Sequence, residues 1–266
     1  MIKQAIRDFI VKRTFAAKLR NKGMNTFSNF EILKSIRSSA ELKRTEENRP
    51  HEVMYFHKVD DPYSHLAIQY IDKLQESFDI SFQAILVGEE NADAVHEPSL
   101  YSTYCLDDAR RIAPFFGVEF SAESYPSGEL VIKSNKILTA VDALNFSEVA
   151  KKVSSALWSG KESILDDLSR EYSSTDEEVS NKLESGNLIR NEKDYYFGSA
   201  FYYEKELYWG VDRLHHLEDR LIELGLKKIQ LTNQFVHLLL VLPPRLSLKT
   251  LLTFIITPLL IAPILM

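Results

Sequence analysis

The stretch Val53-Met54-Tyr55-Phe56-His57-Lys58-Val59-Asp60-Asp61-Pro62-Tyr63-Ser64-His65-Leu66-Ala67 decides the fold. It opens as a short apolar run that ends at Val59 and reads as a β-strand. The run breaks at Asp60-Asp61-Pro62-Tyr63-Ser64 and gives way to a helical pattern from His65. Pro62 lacks a backbone N–H and its φ is already helical, so it suits the first helical position; Asp61 before it is the natural N-cap. A strand feeding a helix through such a turn presents the positive end of the helix to any nearby anion. The anion at this turn is either a group on a bound molecule or the carboxylate of Asp61 itself.

Outward from the turn, helix to about residue 78 and a second β-type run at 80–87 complete a βαβ unit, whose strands are parallel. Gly88 and the polar residues 89–98 end that unit. Residues 99–116, 137–159, 161–172 and 174–183 are then helix-like, separated by Gly117, by Tyr125-Pro126-Ser127-Gly128 and by Ser159-Gly160. After Gly186 the pattern returns to β at Tyr195-Tyr196-Phe197, Ala200-Phe201-Tyr202-Tyr203 and Glu206-Leu207-Tyr208-Trp209, with a tight turn at Glu204-Lys205. Helix from Asp212 to about residue 224 closes the domain. The expected fold class is α/β: a thioredoxin-like domain over 51–228 with an all-helical insertion at about 99–185.

Two extensions flank this domain. Residues 1–50 begin as a basic amphipathic helix carrying Lys3, Arg7, Lys12, Arg13, Lys18, Arg20 and Lys22. They end in a polar stretch, 38–50, that reads as a linker. Residues 229–266 are apolar and broken by Pro243-Pro244, Pro258 and Pro263. A spanning helix needs about 20 apolar residues; the tail reads as an anchor, as a segment packed on the domain, or as a truncated or frameshifted end. Membrane contact through either terminus stays open.

With 266 residues, the chain can bury a proper core. A net charge of -6 and a pI near 5.7 argue against a nucleic-acid partner. Cys105 is the single cysteine, so the chain holds no internal disulfide, no Cys-x-x-Cys pair and no multi-cysteine metal site. Its surroundings place it on a buried helix face. His215 and Asp219 share a helix face, but two ligands make no site, and no metal is expected.

Two segments resemble a known family. Asp61-Pro62-Tyr63-Ser64 with its flanks resembles the first βα turn of the DsbA-like thioredoxin superfamily. In particular it resembles the branch of kappa-class glutathione transferases and 2-hydroxychromene-2-carboxylate isomerases, where that turn reads Ser-Pro-Tyr-Ser. Trp209-Gly210-Val211-Asp212-Arg213-Leu214 resembles the same family's entry into its last helix, and 104–117, with Asp108, Arg110, Ala113 and Gly117, resembles its first insertion helix. The resemblance implies a glutathione-dependent isomerase or transferase in which Asp61, Tyr63 and Ser64 form the reactive end. Ser199 and Ala200 then stand where the family pairs backbone with the cysteinyl part of glutathione, and Val211 and Asp212 stand at its γ-glutamyl end. The aromatic residues at 195–209, with Tyr63 beside them, suit a pocket for a small aromatic or dienol substrate, and a cytoplasmic main domain and a homodimer complete the expectation.

The residues also depart from that pattern. Asp61 stands where those enzymes keep the Ser that donates to the thiol, and a carboxylate repels a thiolate. As a base, an ordinary Asp near pKa 3.9 must first be raised by burial. Ser199 stands where the family has a cis-proline, and trans is the default for a residue other than proline. Asp61 and Asp212 each have a plain structural role available as helix N-caps. Two functions therefore compete: the glutathione enzyme, and a catalytically inactive thioredoxin-fold protein that binds or scaffolds. A dithiol oxidoreductase is excluded by the lone cysteine.

Overall fold

The computed structural model describes residues 14–27, 29–89, 95 and 97–228. The apolar tail at 229–266 and the first part of the basic helix, 1–13, lie outside the described residues. Among the described residues no helix is long and apolar enough to cross a membrane.

The strand read from the sequence is β1, Glu52–His57, and it lies at the centre of a four-stranded sheet. It pairs in parallel with β2, Ser81–Leu86, from Glu52 opposite Ser81 to His57 opposite Leu86. On its other side it pairs antiparallel with β3, Ala200–Tyr203, which turns through Glu204-Lys205 into β4, Glu206–Trp209. The order is β2-β1-β3-β4. Glu204 and Lys205 both have positive φ, 41° and 72°, as the tight two-residue hairpin requires.

Alternation along β1 divides the core. Val53 and Tyr55 belong to a large apolar cluster that runs on into the helical insertion; Phe56 joins Ile85, Val87 and Ala200 in a smaller cluster on the opposite face. The crossover from β1 to β2 is two short helices, α3 (Pro62–Ile68) and α4 (Ile71–Ser77), rather than one helix to residue 78. Every residue of α3 is buried.

Between β2 and β3 the chain forms α5 (Pro98–Ile112), a 3₁₀ turn (Ala113–Phe116), α6 (Gly128–Ala140), α7 (Phe146–Trp158), α8 (Glu162–Glu171) and α9 (Asp176–Glu192). This is the expected all-helical insertion, with two corrections. The single helix expected at 137–159 is split, because the Asp142 carboxylate accepts from the N–H groups of Leu144 and Asn145 and holds a turn there. Helix α9 runs through Gly186, which read as the end of the helical region. Gly186 is instead the residue by which α9 touches the sheet: a Cβ there would come within 2.0 Å of the Leu86 carbonyl oxygen.

Two further expectations are corrected. Residues 195–197 do not form a strand; their rings stack in a loop before β3. The polar stretch 38–50 is no linker, since most of it lies in α2 (Phe30–Glu46), which follows α1 (Thr14–Phe27). Helix α2 is tied to the domain: the guanidinium of its Arg37 donates to Glu206 at 2.7 Å and to Glu223 at 3.1 Å. Arg49, just beyond, pairs with Glu204 at 2.6 Å. A final 3₁₀ turn (Val211–Arg213) leads into α10, Leu214–Glu223.

Candidate functional site

The turn after β1 delivers Asp61 to the start of α3 in extended backbone, φ -98° and ψ 119°. One carboxylate oxygen, Oδ1, accepts the Tyr63 N–H at 3.1 Å. The other, Oδ2, accepts the Ser64 N–H at 3.0 Å and the Ser64 hydroxyl at 2.7 Å. The anion at the helix start is therefore the chain's own carboxylate, and Asp61 is the N-cap that the sequence suggested. Ser64 is buried, and its oxygen also accepts the Lys58 N–H at 3.2 Å, so the hydroxyl is committed on both its donor and acceptor sides.

Gly198 closes the other side. A Cβ on it would meet Lys58 Cβ at 2.7 Å, Asp61 Oδ2 at 3.1 Å and Ser64 Oγ at 3.2 Å, so the backbone of the 197–199 loop rests on the Asp61–Ser64 pair. Ser199, next in line, is fully buried with φ 53°. Its carbonyl accepts the Gly210 N–H at 2.8 Å, and its hydroxyl has no partner among the described residues. No described peptide bond is cis. Ala200 is buried in β3 opposite Phe56 and Trp209.

Beyond Asp61 the surroundings are aromatic. The Tyr63 hydroxyl donates to Asp108 of α5 at 2.8 Å, and its ring meets Trp209 edge-on at 5.7 Å. Trp209 stacks on Phe197 at 5.3 Å, and Phe197 on Tyr101 of α5 at 5.7 Å. Burial, with the Asp108 hydrogen bond, raises the Tyr63 phenol above its ordinary range. Tyr195 is raised by burial and then by the charge of Asp61. Cys105 is buried as expected, and burial pushes its thiol up to about 11, which keeps it protonated and unreactive at neutral pH.

Behind the turn lies a buried polar chain. The Tyr55 hydroxyl donates to the Ser64 carbonyl at 3.1 Å and lies 3.0 Å from His57 Nδ1, which serves it as donor in the matching tautomer. Burial, followed by the neighbouring His65, lowers His57 to about 3, so its imidazole is neutral.

At the far end, Val211 is buried while Asp212 is exposed. Asp212 accepts from Arg213 Nε at 3.1 Å. It does not cap the last helix, which has no side-chain cap hydrogen bond. The structure thus gathers Asp61, Tyr63 and Ser64 with the 198–200 backbone, and sets Asp212 on the surface. Gly198, Tyr101 and Asp108's bond to Tyr63 complete the corner; of these, only Asp108 was singled out in the sequence, as part of the 104–117 resemblance. Among the described residues no three His, Cys, Asp or Glu side chains are placed to hold a metal ion.

No family model matches this chain, and neither does any curated protein sequence. Among solved structures it is similar to a 2-hydroxychromene-2-carboxylate isomerase, with TM-score 0.52 and 18% identity over 65% of this chain and 96% of that one. A protein from Nitrosomonas europaea, described provisionally as a protein disulfide isomerase, gives TM-score 0.48 and 11% identity over 66% of this chain and 98% of the other. The first likeness shows the fold, a DsbA-like thioredoxin domain with a helical insertion.

Proposed function

We propose that this chain is a thioredoxin-fold binding or scaffolding protein in which the thiol-activating corner has become a closed helix cap. One observation carries the proposal: both oxygens of the Asp61 carboxylate are held by α3's own donors, with Gly198 packed against them. A thiolate brought to the same helix start would sit about 4 Å from that charge, a repulsion of about 4 kcal/mol at an effective dielectric constant of 20. Ser64 has no spare proton to offset it, since its hydroxyl already donates to Asp61. The single cysteine suits a cytoplasmic setting, where disulfides are rare. Turnover of 2-hydroxychromene-2-carboxylate with and without glutathione tests the proposal. The parent is expected to be inactive in both conditions and Asp61→Ser to gain glutathione-dependent activity; glutathione-dependent turnover by the parent would overturn it.

The fold likeness to an isomerase along 96% of that protein favours a second reading. In it the chain is a glutathione-dependent isomerase or transferase acting on a small aromatic or dienol substrate. Asp61, Tyr63 and Ser64 then serve the reacting atoms, Ser199 and Ala200 the cysteinyl backbone, and Val211 and Asp212 the glutamyl end.

A further inference from the structure

A cavity of about 400 Å³ opens where the later part of α3, the 116–121 segment and the end of α7 meet. Its lining includes His65, Gln69, Phe120, Ser155, Trp158 and Lys161, and none of Asp61, Tyr63 or Ser64. The space exceeds that of a single water and lies within the range of small-molecule sites, about 300–1,000 Å³. Three rings face one another across short distances: His65 to Phe120 at 5.3 Å, Phe120 to Trp158 at 5.2 Å and His65 to Trp158 at 6.4 Å.

Trp158 is 6% exposed, and its indole N–H is buried with no hydrogen-bond partner among the described residues. An indole nitrogen only donates, so what it lacks is an acceptor. His65 does not supply one: its Nδ1 is engaged with Ser154 Oγ at 2.9 Å and its Nε2 faces the Glu119 carbonyl at 3.5 Å. Burial lowers His65 to about 4, so it brings no charge. The remaining ionisable side chains on the lining are Lys161 and Glu119, both exposed, and Lys161 makes no ion pair among the described residues.

We propose that this cavity is a second binding site, for a small planar aromatic molecule bearing a carbonyl or carboxylate oxygen that accepts from the Trp158 indole. The ring is held by Phe120, His65 and Trp158 through offset and edge contacts. The oxygen satisfies a buried donor that is costly to leave unpaired. A carbonyl needs only the indole, whereas a carboxylate also draws on Lys161.

Three probes that share a ring and differ in oxygen test the site: acetophenone, benzoate and ethylbenzene. The chain has two tryptophans, Trp158 and Trp209, so a nitrogen-labelled sample gives one indole resonance at the cavity and one outside its lining as an internal control. Acetophenone or benzoate at millimolar concentration is expected to shift the Trp158 resonance and leave that of Trp209 in place. Ethylbenzene is expected to bind about tenfold more weakly than the better of the two. In Trp158→Phe, calorimetry should find that advantage gone. A benzoate preference that disappears in Lys161→Met assigns the carboxylate; equal affinities assign the carbonyl. A Trp158 resonance that none of the probes moves, or ethylbenzene binding as tightly as the oxygenated probes, would overturn the proposal, and both readings use the unmodified chain.

Discussion

Gly198→Ala adds one methyl group at the point where the 197–199 loop rests on the candidate site. The new carbon would lie 2.7 Å from Lys58 Cβ, 3.1 Å from Asp61 Oδ2 and 3.2 Å from Ser64 Oγ. Lys58 Cβ is fixed to its own backbone, so no rotamer change relieves the contact. Carbon atoms pack at about 3.5–4.0 Å, which requires the loop or the 58–61 turn to move by on the order of 1 Å. Two hydrogen bonds oppose that movement, Gly210 N–H to the Ser199 carbonyl at 2.8 Å and Ser64 Oγ to Asp61 at 2.7 Å. Overpacking of this kind costs about 1–3 kcal/mol, while a Gly-to-Ala change offsets about 0.4–1 kcal/mol through the unfolded chain. The net expectation is a loss of about 1–2 kcal/mol. With a urea slope of about 1–3 kcal/mol per molar, the unfolding midpoint should fall by roughly 0.3–2 M. Equilibrium urea unfolding followed by tryptophan fluorescence measures it, Trp209 being stacked on Phe197 in the same loop. A midpoint equal to or above that of the parent would mean that the loop is not seated on Asp61 and Ser64.

Three other outcomes follow from the same structure. Gly186→Ala places a methyl group 2.0 Å from the Leu86 carbonyl oxygen, and the resulting loss should exceed the helix-propensity gain of about 1 kcal/mol; a more stable variant in thermal unfolding would count against α9's contact with β2. His57 and His65, held near 3 and 4 against 6.5 when unfolded, bind fewer protons folded than unfolded. Their contribution is therefore full above pH 6.5 and is lost as pH falls towards 4 and 3. Each should remove about 2 kcal/mol between pH 7 and pH 5, and His65→Gln should flatten the urea midpoint over that interval; an unchanged slope contradicts the burial of a neutral ring. Arg37→Ala leaves Glu206 with Arg220 Nε at 3.6 Å and should cost about 1–3 kcal/mol, while opening α2 to limited proteolysis that the parent resists. Identical digestion patterns would show that Arg37 does not hold α2.

What the sequence disclosed, and what it hid, follows the range of the interaction. The strand–turn–helix at 53–67 was legible because its determinants are local: the short apolar run of β1, Pro62 at the first helical position and Asp61 reaching the N–H groups of Tyr63 and Ser64. The hairpin at Glu204-Lys205 and the burial of Cys105 were legible for the same reason. Gly186 misled, because a glycine that ends a helix and one that lets a helix touch a sheet look alike until Leu86 is in place. The stretch 38–50 misled because helix α2, which holds most of it, is tied down by partners far along the chain, Arg37 just before the stretch by Glu206 and Arg49 near its end by Glu204. In the candidate site, Asp61 was legible as an N-cap and, with Ser64, as a site residue through the family resemblance, whereas the Gly198 contact and the Tyr63–Asp108 bond arise only when the 197–199 loop and α5 fold over the turn. The expectation that Asp212 caps the last helix failed because the chain enters α10 through a 3₁₀ turn, which leaves the carboxylate at the surface beside Arg213.

Calorimetric titration of glutathione into the parent and into Asp61→Ser puts the closed helix cap to its most direct trial. The parent should give no binding heat at millimolar glutathione, and the variant, with the charge gone and a hydroxyl in its place, should bind. Glutathione binding by the parent, with the bound thiol ionised at neutral pH in its ultraviolet absorbance, would contradict the assignment of Asp61 as the anion that fills this site.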